Sequence, residues 1–409
     1  ILLSCLKIGV SESVNLMNPR LLQQSTSLSA TIDLVAEADW NRCGALKDFW
    51  YVACLACELS GKKPLPRTIL GFPLVLFRDE NQKSVALKDR CLHRNAALSK
   101  GIVLDGKIGC PYHGWMYNAK GQCTRIPSLG PSQRGEGFSK KEYEENGLKC
   151  SPQEVGCLPH FDTLEQDGLI YVYLGKDSKE ARCPPFRVPH YQETGWCSYF
   201  MVTRFSNGVT NLVENFMDVP HTVFVHRGWF RRESQKSVPA VVERQNGSVL
   251  VTYEQGQDQI TGLGRILNPF GEAMKHTDRF YVPNVTRVDY TFGSRSAFII
   301  NSQATPIGPL ESLVYTAISY RLPLDFPRGL LARILKPLMH WYTRQVIEQD
   351  VAIMLVQRQG LINAPEGGQF ISTEADLIHT DIEAYRSWLR EGGQGNGPTS
   401  EKRRIFFWI

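Results

Sequence analysis

Residues 90–117, RCLHRNAALSKGIVLDGKIGCPYHGWMY, decide how the chain is organised. They set Cys91 and His93 as a C-x-H pair and, after sixteen intervening residues, Cys110 and His113 as C-x-x-H. Two thiolates and two imidazoles on paired loops can hold zinc, since Cys₂His₂ is a common structural zinc set. A C-x-H pair is tighter than the usual C-x₂₋₄-C half of such a site, however, and each half here mixes Cys with His. The mixture suits a [2Fe–2S] centre in which two thiolates hold one iron and two imidazoles the other. Neutral imidazoles lessen the negative charge of such a centre and so raise its potential.

Outward from this stretch, Phe49 to about Gly175 reads as mostly β. Short runs such as FPLVLF (72–77), KSVALK (83–88) and LIYVYL (169–174) are rich in Val, Ile, Leu and aromatics and lie between turn residues. SLGPSQRGEGFSKKEYEENG (128–147) lacks apolar periodicity and reads as a surface loop. CPPFRVPHY (183–191) carries three prolines and reads as an interdomain linker. A mixed region follows. NLVENFMDVPHTVFVH (211–226) looks helical at its start, and SVLVTYEQ (248–255), RFYVPNVTRVDYTF (279–292), AFIINSQATP (297–306) and LVYTAISYRL (313–322) look like strands. Residues 329–359 repeat apolar positions every three to four, the pattern of a long amphipathic helix, with Pro337 in its first third. The expected fold class is α+β: an all-β domain followed by a mixed one.

A second constellation lies in the mixed region, where Asn215, Asp218, His221 and His226 form N-x-x-D-x-x-H-x₄-H. Asp218 and His221 are i, i+3 and would share a helical face. His226 stands about 140° further round an ideal helix, so it cannot share that face unless the helix is broken or bulged, and Pro220 is placed to disturb it. Two imidazoles and one carboxylate on one face of Fe(II) leave positions open for dioxygen and substrate. Any lone histidine is more often a satisfied surface or core residue, and that is the expectation for His160, His190, His276, His340 and His379. Cys54 and Cys57 form C-x-x-C in an apolar setting and are expected to be core thiols.

The C-x-H-R and C-P-Y-H-G-W motifs, followed by N-x-x-D-x-x-H-x₄-H, resemble those of the Rieske non-heme iron oxygenases over about residues 45–360. Ala96 and Tyr112 occupy the positions where respiratory Rieske proteins carry a disulfide pair, so the cluster is similar to the oxygenase type. The resemblance implies that Cys91, His93, Cys110 and His113 hold a Rieske [2Fe–2S] cluster and that His221, His226 and Asp350 hold mononuclear Fe(II). Glu348 competes with Asp350 for the third position, and Gln357 is either a supporting or a helix-surface residue. Asp218 matches the family's electron-transfer bridge, joining His221 to a Rieske histidine of a neighbouring subunit, His113, in a head-to-tail homotrimer.

The fold so implied is an N-terminal all-β Rieske domain and a catalytic domain with a curved antiparallel sheet and covering helices, of helix-grip type. Its divisions are a leader at 1–45, the Rieske domain at 46–182, the iron domain at 183–395 and a basic-aromatic tail at 396–409. The implied activity is that of a terminal oxygenase, using O₂ and electrons from NAD(P)H delivered by a separate reductase or ferredoxin. The sequence carries no dinucleotide-binding G-x-G-x-x-G after a strand. The chain is most similar in style to the vanillate demethylase, aminopyrrolnitrin oxygenase and saxitoxin-pathway branches, which favours monooxygenation of an apolar organic small molecule. An electron-transfer or redox-sensing protein with a non-catalytic second domain is the alternative, and a ligand-binding module with structural zinc is a third reading.

Composition agrees with a globular protein and excludes other classes. In 409 residues, 42% are hydrophobic and 21% charged, which argues against wholesale disorder. The 46 basic and 41 acidic residues leave only +5, too little for a dedicated nucleic-acid binder. No apolar run reaches the length of a membrane span, and eleven cysteines without framework spacing argue against a disulfide-stapled secreted domain. A cytoplasmic location is therefore expected, with residues 1–16, ahead of Met17, as an extension. EKRRIFFWI (401–409) reads as a tail docked on the protein's own surface, or as a weak membrane-surface contact.

Overall fold

The computed structural model describes residues 44–130, 152–229, 237–254, 264–324, 329–364, 369–395 and 397–408. The expected leader, up to residue 43, and residues 131–147 of the expected surface loop lie outside the described residues.

The first domain holds two antiparallel sheets. Strands β1 (Trp50–Leu55), β2 (Leu65–Ile69), β3 (Phe72–Arg78) and β4 (Ser84–Lys88) come first. They are followed by β5 (Ile102–Leu104), β6 (Lys107–Gly109), β7 (Met116–Tyr117) and β8 (Cys123–Arg125), and then by β9 (His160–Gln166) and β10 (Leu169–Tyr173). The larger sheet runs β1-β10-β9-β4-β3-β2 and the smaller β5-β6-β7-β8. The continuous apolar run in β3 has a cause: both of its faces are buried. Leu74 and Leu76 enter one core and Val75 and Phe77 the other, where Cys91, Cys110 and Tyr117 also lie. Each such side chain contributes roughly 1.5–3 kcal/mol by leaving water. The Cys91 loop leaves β4 and the Cys110 loop joins β6 to β7, so the sheets position both motifs.

The second domain is built on one eight-stranded antiparallel sheet. Its strands are β11 (Cys197–Phe205), β12 (Ser237–Gln245), β13 (Ser248–Tyr253), β14 (Met274–Tyr281), β15 (Val285–Phe292), β16 (Ser296–Gly308), β17 (Glu311–Arg321) and β18 (Glu401–Trp408). They are ordered β11-β17-β16-β15-β14-β13-β12-β18. The run 279–292 is the end of one strand, a turn and a second strand, with Tyr281 opposite Val285. Helices α1 (Val209–Met217), α2 (Gly264–Leu267), α3 (Leu330–Asn363) and α4 (Leu377–Arg390) complete it. Leu212, Val213 and Met217 of α1 pack with Val238, Val242 and Val251 of the sheet, Met354 of α3 and Ile382 of α4 in one core. Helix α3 continues through Pro337 for 34 residues yet buries only Ala332, Met339, Thr343, Asp350 and Met354.

The C-terminal segment read as a tail is a strand of this sheet. It pairs with β12, Val238 opposite Phe407, and buries Ile405 and Phe407 while Phe406 and Trp408 stay exposed. Between the domains, Thr305 Oγ1 donates to Val52 O at 2.7 Å and Tyr315 OH to Ala53 O at 2.5 Å, stitching β1 to β16 and β17. No helix among the described residues is long and apolar enough to cross a membrane.

Candidate redox and metal site

The two cysteine loops close on themselves. Cys91 N–H donates to Ala96 O at 2.9 Å, and Cys110 N–H to Trp115 O at 2.8 Å. Gly114 has φ +69°, and a Cβ there would come within 3.1 Å of Pro127 Cγ, so this turn needs glycine. The thiols of Cys91 and Cys110 face inward and are buried, whereas His93 is half-buried and His113 exposed. The two imidazoles lie together, with ring centroids 4.6 Å apart, and Trp115 stacks on His93 at 4.7 Å. Both cysteines are free. Burial pushes the Cys110 thiol up, aided by its bond to Cys91, and His93 is pushed down by burial and then by His113 and Arg94. His93 Nδ1 is buried without a hydrogen-bond partner. Two free buried thiols and two clustered imidazoles, one with an orphaned nitrogen, are a donor set that fits a His₂Cys₂ [2Fe–2S] cluster.

The second constellation forms where α1 ends. Asp218 is its C-cap, in extended conformation, and residues 220–223 form a 3₁₀ turn behind Pro220. The helix is therefore broken, and the break lies ahead of both histidines. The expected shared helical face of Asp218 and His221 is absent, because capping turns the chain out of the helix at Asp218. Their contact is instead the His221 backbone N–H donating to Asp218 Oδ2 at 3.3 Å, with the ring Nδ1 3.6 Å from that oxygen.

His226 Nε2 lies 3.3 Å from His221 Nε2, and Asp350 Oδ1 lies 3.2 Å from the former and 3.5 Å from the latter. Donor atoms on one face of an octahedral ion, at bonds of about 2.1 Å, would be about 3.0 Å apart, so the three fit a two-histidine, one-carboxylate site. Burial alone would push His221 down, but its bonds to Asp218 and Asp350 raise it to about 9. Burial would raise Asp350, and the two histidines outweigh this and hold it down at about 2. Such mutual stabilisation shows how strongly the carboxylate asks for positive charge at this point.

Neighbouring side chains orient these groups. Asn215 Nδ2 donates to Asp350 Oδ1 at 3.1 Å, and Gln349 Oε1 lies 2.9 Å from His226 Nδ1. Gln349 escaped sequence reading, since it is one polar residue among several on an amphipathic helix. Glu348 pairs with Arg344 on the solvent side at 2.7 Å, and Gln357 accepts from Asn207 at 2.8 Å, a packing contact. Of the C-x-x-C pair, Cys54 is buried as expected, but Cys57 is exposed on a short 3₁₀ turn. His190 stacks on Trp196, His379 faces Asp376, and His276 is buried against Asp278.

A cavity of about 120 Å³ opens beside the three converging groups, lined by Phe205, Phe216, Val288, Phe298, Ile300, Ile318 and Ile347 among others. The fold and site thus define a two-domain protein with a place for a [2Fe–2S] cluster and a second place for an isolated metal ion next to an apolar cavity. Residues 49–152 match the Rieske [2Fe-2S] domain and residues 208–383 the vanillate O-demethylase oxygenase C-terminal domain, together more than half of the chain. The chain belongs to the Rieske oxygenase family, whose members use a [2Fe–2S] cluster and mononuclear iron.

The chain is 32% identical over 224 residues to the putative toluene-4-sulfonate monooxygenase system iron-sulfur subunit TsaM2 of Comamonas testosteroni, covering 53% of this chain and 58% of that protein. It is 26% identical over 373 residues to the chloroplastic pheophorbide a oxygenase of Oryza sativa subsp. japonica, covering 85% of this chain and 65% of that one. The chain spans less than two thirds of the length of these curated relatives. Its fold is that of dicamba monooxygenase bound to dicamba, with a TM-score of 0.67 and 21% identity over 84% of this chain and 97% of that one.

Proposed function

We propose that the protein is a terminal oxygenase that monooxygenates an apolar organic small molecule, with Cys91, His93, Cys110 and His113 as cluster ligands and His221, His226 and Asp350 as iron ligands. The observation that carries the proposal is the convergence of these last three side chains, from segments 124 residues apart, at one wall of an apolar cavity. The bound metal groups supply electron delivery and O₂ activation. The chain's own residues do the rest. Asn215 and Gln349 hold Asp350 and His226 in orientation, as such partners do in metal sites. Apolar side chains exclude water and take up the substrate body. His113, exposed at the surface, would give a bound cluster its outward edge, and Asp218, beside His221, would be the residue facing an electron donor.

A separate reductase or ferredoxin supplies electrons, in keeping with relatives named as subunits of larger systems. A homotrimer is favoured by the exposed apolar side chains of α3, including Ile334, Leu338, Trp341 and Val356, which a neighbouring copy would cover. The location is cytoplasmic or, as for the relatives named chloroplastic, plastidic. The electron-transfer alternative is disfavoured, because a non-catalytic domain has no physical need to keep all three ligands converging beside a cavity.

Iron and acid-labile sulfide analysis tests the proposal. The protein should hold about three irons and two sulfides per chain, and Asp350→Ala should lose one iron and all turnover while keeping the visible Rieske spectrum. Full activity in that variant, or zinc without sulfide, would refute the assignment.

A further inference from the structure

Strand β14 alternates, and its inward positions are His276, Asp278 and Phe280. Two of these three core positions are therefore polar, against the pattern that burial demands. Asp278 is 1% exposed and lines the same cavity as His221, His226 and Asp350. Its carboxylate is held on both sides: Tyr253 OH donates to Oδ2 at 2.9 Å, and His276 Nε2 lies 2.8 Å from Oδ1. The His276 ring is itself fixed by stacking between Tyr253, at 4.2 Å, and Tyr290, at 4.4 Å. Two hydroxyls of the cavity wall are already engaged, Ser302 with Thr316 at 3.1 Å and Thr343 with Tyr199 at 2.9 Å. A carboxylate can accept about four hydrogen bonds, and Asp278 accepts one on each oxygen from partners among the described residues, so it combines a fixed position with spare acceptor capacity.

We propose that Asp278 is the recognition group of the pocket, and that the substrate is an apolar ring or chain bearing a hydrogen-bond donor, an amine, N–H or hydroxyl, directed at this carboxylate. The apolar body lies against Val288, Phe298 and Ile300. The term substrate rests on the oxygenase reading; the binding preference does not.

A cavity of about 150 Å³ accepts a benzene ring, so single-ring probes suit this one. Benzylamine, benzyl alcohol, toluene and benzoate are titrated calorimetrically into the iron-loaded full chain. Benzylamine and benzyl alcohol should bind about tenfold or more tightly than toluene, with benzoate the weakest. Asp278→Asn should remove about tenfold of the benzylamine affinity and leave toluene unmoved. Tyr253→Phe, which keeps the ring stack and frees one side of the carboxylate, should shift benzylamine binding measurably even if the Asn variant does not fold. His221→Ala should retain the preference; its loss there would mean that the amine sits on the metal and would overturn the proposal. Toluene binding as tightly as benzylamine, benzoate binding best, or no binding by any probe would overturn it too. An iron content short of that expected, with the preference intact, would sink the oxygenase reading alone.

Discussion

Replacing Tyr117 by Phe should lower the reduction potential of the cluster by about 40 mV. Tyr117 is fully buried, and its oxygen lies 3.2 Å from Cys91 Sγ. The backbone N–H of Leu92 donates to that same oxygen at 3.2 Å, which leaves the phenolic proton free to point elsewhere. A cluster-bound Cys91 is a thiolate and has no proton to give, so the hydroxyl donates to sulfur. A hydrogen bond to a sulfur that gains negative charge strengthens on reduction and favours the reduced state. Taking the strengthening as about 1 kcal/mol, within the span of net hydrogen-bond energies, and about 59 mV per tenfold for one electron, gives the stated shift. The assay is a potentiometric titration of the purified protein followed by the EPR signal of the reduced cluster. The melting temperature is measured alongside, because the variant also leaves Leu92 N–H without its acceptor. An unchanged or raised potential in a folded variant would refute the donor assignment.

Gln349→Ala should free the His226 ring and weaken iron binding by about 10–100-fold, read as the Fe(II) concentration restoring half-maximal occupancy; an unchanged value would make the 2.9 Å contact incidental. Glu214 is raised to about 7, first by burial and then by Glu383, with Arg386 opposing. Its folded value exceeds its unfolded one, so the native state binds the extra proton and loses stability as pH rises from about 4.5 through 7. Glu214→Gln should therefore gain about 2 kcal/mol over wild type between about pH 5 and pH 8, seen in urea unfolding at both pH values. Leu212→Ala, at a fully buried position of α1, should cost about 2–5 kcal/mol in the same assay.

The parts of this molecule that could be read from residues alone were those whose physics is local. Cys91 with His93 is a short-range pair whose mixed donor types point to a metal, and the buried strand β3 announces itself by a run with no polar face. The break before His226 was legible because 3.6 residues per turn forbids a continuous helix and Pro220 supplies the means. Asp350 could be named only through resemblance, since Glu348 is as good a ligand chemically, and only folding shows which of them turns inward. Asp278 was hidden for a different reason: a Lys-His-Thr-Asp-Arg stretch looks like a polar surface until the register of β13, β14 and β15 places its alternate residues inside. The C-terminal segment docks on the protein itself, as expected, but its strand form was not legible because its partner β12 lies more than 150 residues earlier, and strand formation follows the partner more than the propensity.

Asp350 is one of five buried positions of helix α3, and one turn on from it Met354 packs in the core with α1. An ion held by Asp350 and the two histidines after α1 would therefore add a crosslink between the middle of α3 and the segment that follows α1. Release of the ion and loosening of the middle of α3 would then be coupled. Amide hydrogens around residues 347–354 should then exchange faster in chelator-treated protein than in loaded protein.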